Sequence, residues 1–137
     1  WKIAMRPGKP LIFGDFNGTP MLGLPGNPVS TMVCALLFLR PAMQALLGIT
    51  GQQTHMEEAI LGAPLGQNGG REDYVRATLA QDEAGMHRVT PFPIQDSSMM
   101  VPLSQSDCFI VRPPNAPATV TDETVTILPM PGGLQSF

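Results

Sequence analysis

The chain has 137 residues, about the length of one domain, and its 14 Gly and 15 Pro make up roughly a fifth of it where about 12% is usual. A hydrophobic content of 43% with 14% charged residues and a net charge of −3 excludes a disordered chain, and the acidity excludes a broad basic surface for nucleic acid. The Gly content has no period, which excludes collagen, and the breakers exclude long uninterrupted helices.

Residues 1–6 alternate apolar and polar side chains and predict a strand, stopped by Pro7 and Gly8. Residues 11–13 predict a second short strand, residues 14–19 a turn, and residues 21–24 a third strand covered on both faces, as in an α/β sheet. Next comes Pro25-Gly26-Asn27-Pro28. Asn27 is a good N-cap and Pro28 fits the first helical position, so a helix is predicted over residues 29–39. Pro41 should kink or restart it, with a second short helix over 42–47 and Gly48 as the stop. A strand, a Gly loop and a helix start can cradle an anion, or can be a plain turn. Lys2, Arg6 and Lys9 lie close together, as a solvated strand end or as cations around an oxyanion.

After Gly51 the pattern changes. Short runs at 58–65, 74–79, 86–92, 99–103, 108–111 and 120–128 read as six strands of a small barrel or sandwich, and the tail 131–137 reads as flexible. Alternation through residues 71–76 puts Tyr74 and Arg76 on one face. On the residues alone Arg76 is a surface ion pair and Ser97 a turn residue, and His55 and His87 receive no role. Cys34 and Cys108 sit in separate apolar runs and read as buried free thiols of a reducing compartment, with neither a zinc site nor a disulfide framework. The longest strictly apolar run is the eight residues 32–39, so no membrane span is expected, nor is there a signal peptide. The chain starts at Trp1 without an initiator Met and reads as a piece of something longer.

The motifs MRPGKP, GLPGNPVS with its Pro-interrupted helix, REDYVR and QDSSMM, in that order, resemble the C-terminal third of molybdopterin molybdenumtransferases, the MoeA and gephyrin E-domain family. The resemblance implies an α/β fragment over residues 1–51, the end of a MogA-like molybdopterin-binding domain. A small all-β, barrel-like C-terminal domain would follow over 52–137. It implies an enzyme of molybdenum cofactor biosynthesis that takes molybdate and adenylylated molybdopterin to molybdenum cofactor and AMP, with Mg²⁺. A cytoplasmic homodimer is implied for the full-length parent.

By the same resemblance Arg6 and Lys9 are the catalytic residues. Arg6, which stands where the family usually has Lys, then binds molybdate or substrate with Lys9, Pro10, Arg76, Ser97, Lys2 and Asn27, and Asn27 also caps the helix. No metal ligand is expected in this stretch, because the Ser-Gly-Gly segment and the metal-holding acidic residues would lie upstream. The fragment alone is therefore expected to be inactive. Asp96 departs from the family Gly and would weaken molybdate binding unless it turns away. The competing reading is a non-catalytic scaffolding or partner-binding module of the gephyrin kind.

Overall fold

The computed structural model describes residues 3–50, 54–96, 98 and 100–131. The strands among them are β1 (Met5–Arg6), β2 (Ile12–Phe16), β3 (Thr19–Gly23), β4 (Glu57–Leu61), β5 (Glu72–Gln81), β6 (His87–Pro91), β7 (Cys108–Arg112) and β8 (Thr124–Pro129). Strands β5, β6, β4, β8 and β7 pair in that order, and β7 pairs back onto β5. The sheet therefore closes into a barrel, one of the two architectures that the second-half spacing allows. β1 adds to β5 in parallel, with Met5 opposite Glu72 and Arg6 opposite Asp73, so a strand from the first segment is hydrogen-bonded to the barrel.

Two apolar layers follow from the two-residue period of the strands. Val75, Ala77 and Leu79 of β5 face inward with Leu61, Val89, Ile110 and Ile127, the barrel interior. Tyr74 of β5 and Phe109 of β7 face outward and pack with Val29, Val33, Leu36, Met5 and Leu103. Residues 74–77 are consequently buried on both faces of the strand.

The outer layer is covered by a helix in three parts: α1 (Pro28–Cys34), a π-helical turn (Ala35–Leu39) and α2 (Arg40–Leu46). Asn27 caps it as expected, its side-chain oxygen accepting from the N–H of Val29 at 3.2 Å and of Ser30 at 3.4 Å. The interruption expected at Pro41 is the π turn. Arg40 N–H donates five residues back, to Ala35 O, so the helix widens just before a ring that has no N–H and would crowd the preceding turn. Gly48 ends the helix at φ +71°.

The 19 residues from Pro28 to Leu46 are long and apolar enough to cross a membrane by length and composition alone, more than the eight-residue run had indicated. One face of this helix packs on the barrel through Val29, Val33 and Leu36, as a core helix does.

Several boundaries differ from the sequence reading. Residues 14–16 continue β2, and the turn shrinks to Asn17-Gly18, whose φ values of 52° and 83° make a two-residue hairpin. β3 is not covered on both faces: Met21 is exposed, as are Ile12, Phe13 and Phe16 across the hairpin. The segment read as a strand at 99–103 is instead a helix, α3 (Met100–Ser104). There the Asp96 carboxylate takes up the N–H and hydroxyl of Ser98 and bends the chain, Pro102 cannot donate to a ladder, and Leu103 alone is buried. β4 stops at Leu61, and Leu65 forms only an isolated bridge to Thr119. β8 starts at Thr124 because Asp122, at φ +70°, makes a turn of the preceding residues. The expected strand over residues 1–6 is present at Met5–Arg6; Trp1 and Lys2 lie outside the described residues, as does the expected flexible tail beyond Pro131.

Candidate functional site

One edge of β5 has a gap. It is paired with β1 as far as Asp73 and with β6 from Ala77 onward, and residues 74–76 between have no strand beside them on that edge. Gln95 fills the place of a strand. Its Oε1 accepts from Arg76 N–H at 2.9 Å, and its Nε2 donates to Arg76 O at 3.0 Å and to Phe92 O at 2.8 Å. Clefts open on both sides of the gap, sharing a wall of Arg6, Asp73, Val75 and Gln95. The first, about 410 Å³, is lined by residues 7–10, Ser30, Arg71, Tyr74 and Arg76. The second, about 450 Å³, lies against residues 63–68, 91–93 and Arg112.

The first cleft gathers Arg6, Lys9, Arg71 and Arg76, half of the chain's eight Lys and Arg, against the single carboxylate of Asp73. In a chain of net charge −3 this is a local inversion of sign, and it suits an anion. The four cations are held differently. Arg6 grips Asp73 with two nitrogens, Nε donating to Oδ1 at 2.9 Å and a terminal nitrogen to Oδ2. That hydrogen bond raises the Arg6 pKa further, and Asp73 (13% exposed) is much the more buried partner of Arg6 (58%).

Lys9 and Pro10 form an exposed turn at the rim. Gly8 beneath them has φ +120°, and a Cβ there would lie 2.9 Å from Cys34 Sγ, so only glycine fits this loop against the helix.

Arg76 is 1% exposed and donates to the carbonyls of Ile94 at 3.3 Å and Asp96 at 2.8 Å. The structure thus makes it the anchor of the loop 92–96 at the cleft floor, rather than a surface ion pair. Burial lowers its pKa, opposed by the Asp96 carboxylate. Asp96 itself is exposed and turned to Ser98, whose N–H and hydroxyl hold its carboxyl below the ordinary Asp range; it does not line the cleft. Beside Arg76, burial and then the Glu72 carboxylate, 2.5 Å from its hydroxyl, push the pKa of Tyr74 well up.

Of the residues singled out from sequence, Arg6, Lys9, Pro10 and Arg76 come together in one cleft. Asn27 serves as the cap beside it and does not line it. Lys2 and Ser97 lie outside the described residues. Arg71, Asp73 and Gln95 were missed. The two-residue spacing of Arg71 and Asp73 was the available signal; nothing in the sequence marks Gln95 as the filler of a gap. Among the described residues no group of three or more His, Cys, Asp or Glu is placed to hold a metal ion.

These elements define a closed β-barrel whose wall opens, under a capped helix, into a cation-lined cleft. Residues 58–130 match the family described as MoeA C-terminal region (domain IV), and the chain belongs to that family. It is 35% identical over 131 residues to a molybdopterin molybdenumtransferase of Haemophilus influenzae, covering 94% of this chain and 32% of that protein. It is 30% identical over 132 residues to molybdopterin molybdenumtransferase 1 of Mycobacterium tuberculosis, covering 92% and 31%. Among solved structures, a molybdopterin biosynthesis MoeA protein from Pyrococcus horikoshii superposes with a TM-score of 0.76 at 26% identity, over 93% of this chain and 30% of that one. The chain spans about a third of the length of the curated relatives it matches.

Proposed function

We propose that the full-length protein carrying this chain is a molybdopterin molybdenumtransferase of molybdenum cofactor biosynthesis, and that this stretch supplies the molybdate-facing part of its site. The observation that carries the reading is the cleft at the β5 gap, with four cations around one carboxylate in a chain of the MoeA family. Molybdate is a tetrahedral dianion. Lys9 offers it a mobile point charge at the rim, and Arg6, once Asp73 yields it, a planar fork that can take two oxygens at once. Cations so placed also favour the charge that develops on oxygen as molybdate is transferred to adenylylated molybdopterin and AMP leaves. Arg76, through its grip on the carbonyls of Ile94 and Asp96, sets the position of the backbone at residues 94–96.

The same reading divides the chain at residues 51 and 52. The exposed Ile12, Phe13 and Phe16 of the hairpin and Met43 and Leu46 of α2 support reading residues 1–51 as the end of a MogA-like α/β domain with an edge of its own left open. Mg²⁺ is expected for the full-length protein, and no group of three or more His, Cys, Asp or Glu is placed for it among the described residues. Buried, unpaired Cys34 and Cys108 support the cytoplasmic assignment. The assembly is read as a homodimer, and the chain alone as inactive.

The test is the molybdate dependence of cofactor formation in the full-length protein. Lys9→Ala should raise the molybdate concentration needed about tenfold; an unchanged dependence removes molybdate from this cleft.

A further inference from the structure

The four cations of the cleft differ in what they already hold. Arg6 is paired with Asp73, and Arg76 is committed to backbone carbonyls. Around Lys9 and Arg71, by contrast, no carboxylate lies within ion-pair distance among the described residues. Arg71 is exposed, comes just before β5, and lies two residues ahead of Asp73. It sits in a bend outside the strand and lines the first cleft together with Arg6 and Asp73.

The backbone that carries Arg71 is also fixed. Asn68 Nδ2 donates to Arg71 O at 2.9 Å, to Arg112 O at 3.0 Å and to Pro113 O at 2.7 Å, while its Oδ1 accepts from Gly69 N–H at 2.9 Å. One carboxamide thus pins the turn before β5 to the end of β7. An arginine on a pinned backbone, in a cleft, without a counter-ion among the described residues, is prepared for an anion from outside.

We propose that Arg71 is a ligand-binding residue of this cleft, engaging a tetrahedral dianion through its guanidinium fork together with Lys9. The inference rests on the reading of the cleft as an oxyanion site, and it assigns the initial grip to Lys9 and Arg71. Arg6 joins only as Asp73 yields it. The order follows from electrostatics: an incoming dianion meets two uncompensated charges before it must compete with a bidentate carboxylate.

The experiment is calorimetric titration of inorganic molybdate into the full-length protein at low salt, comparing wild type with Arg71→Ala, Arg71→Lys, Lys9→Ala and the control Arg88→Ala. Arg88 is paired with Asp122 and lines neither cleft. Arg71→Ala should weaken binding about tenfold, Arg71→Lys should recover only part of it because lysine has no fork, and Arg88→Ala should leave it unchanged. Weakened binding in Lys9→Ala with wild-type binding in Arg71→Ala overturns the role of Arg71 and leaves the oxyanion reading standing. If neither variant changes molybdate binding, or the wild type binds none, the oxyanion reading fails and this inference with it. Arg71 is exposed, so both of its variants should keep the wild-type melting temperature.

Discussion

Arg6 and Asp73 face each other across the parallel pairing of β1 with β5, and the guanidinium holds the carboxylate with two of its nitrogens. The pair forms part of the wall between the two clefts. Asp73 is therefore both a structural tie between β1 and the barrel and a built-in competitor for any anion that approaches Arg6.

Replacing Asp73 by Asn separates those two roles. The pair is half open to solvent, so the loss of stability should be at most about 1 kcal/mol by urea unfolding. Freed from its carboxylate, Arg6 should bind molybdate more tightly, by a few-fold at low salt, and the gain should shrink as KCl is added. Weaker binding in Asp73→Asn would mean that the carboxylate orients Arg6 rather than competing for it.

Arg76→Met removes the donors that hold the carbonyls of Ile94 and Asp96. We expect a loss of about 2 kcal/mol and faster amide exchange in residues 92–96, since the partners of a buried charged group are left unsatisfied. Lysine should not restore stability, having one nitrogen where the fork is needed. Wild-type stability with lost molybdate binding in Arg76→Met would instead make Arg76 a direct ligand.

Gly8→Ala should destabilise the protein by about 2–3 kcal/mol, from a φ of +120° that L-residues avoid and from the 2.9 Å approach to Cys34 Sγ. Adding Cys34→Ala relieves the contact and not the backbone, so the pair should recover part of the melting temperature lost in Gly8→Ala. Full recovery would show that packing alone selects glycine there.

The thiol of Cys108 is pushed up to about 12, by burial first and then by the carboxylates of Asp107 and Glu57. In the unfolded chain it ionises near the ordinary value of about 8.5. The folded pKa is the higher one, so this contribution is complete below about pH 8.5 and is lost as pH rises toward 12. Unfolding free energies at pH 8.0 and pH 9.5 should fall less in Cys108→Ala than in wild type; equal slopes would remove Cys108 as the cause.

The barrel strands were legible because their alternation and Pro or Gly punctuation act locally, and Asn27-Pro28 announced the helix start for the same reason. The segment at 99–103 was misread because three apolar residues in a row carry no period. The Asx turn at Asp96 and the back-bonding hydroxyl of Ser104, at 2.9 Å from Val101 O, decided in favour of helix. Within the cleft, Arg6 and Lys9 were legible as a basic cluster, and Arg76 was reached only through motif resemblance. Asp73 and Gln95 were beyond it, because their roles exist only once β1 and β6 leave a gap along one edge of β5. Pairing over 67 residues of chain, as between Arg6 and Asp73, has no signature in local pattern.

Because β5 is buried on both faces, its residues serve two neighbourhoods in strict alternation: Val75 and Ala77 fill the barrel, while Tyr74 and Arg76 between them face the helix and the cleft. The geometry offered to an anion is thereby inherited from packing that no anion can reach. A change of volume at Ala77, which lines neither cleft, would act on Arg76 through a single peptide bond, so the grip of this cleft can be tuned from inside the barrel with its lining left intact.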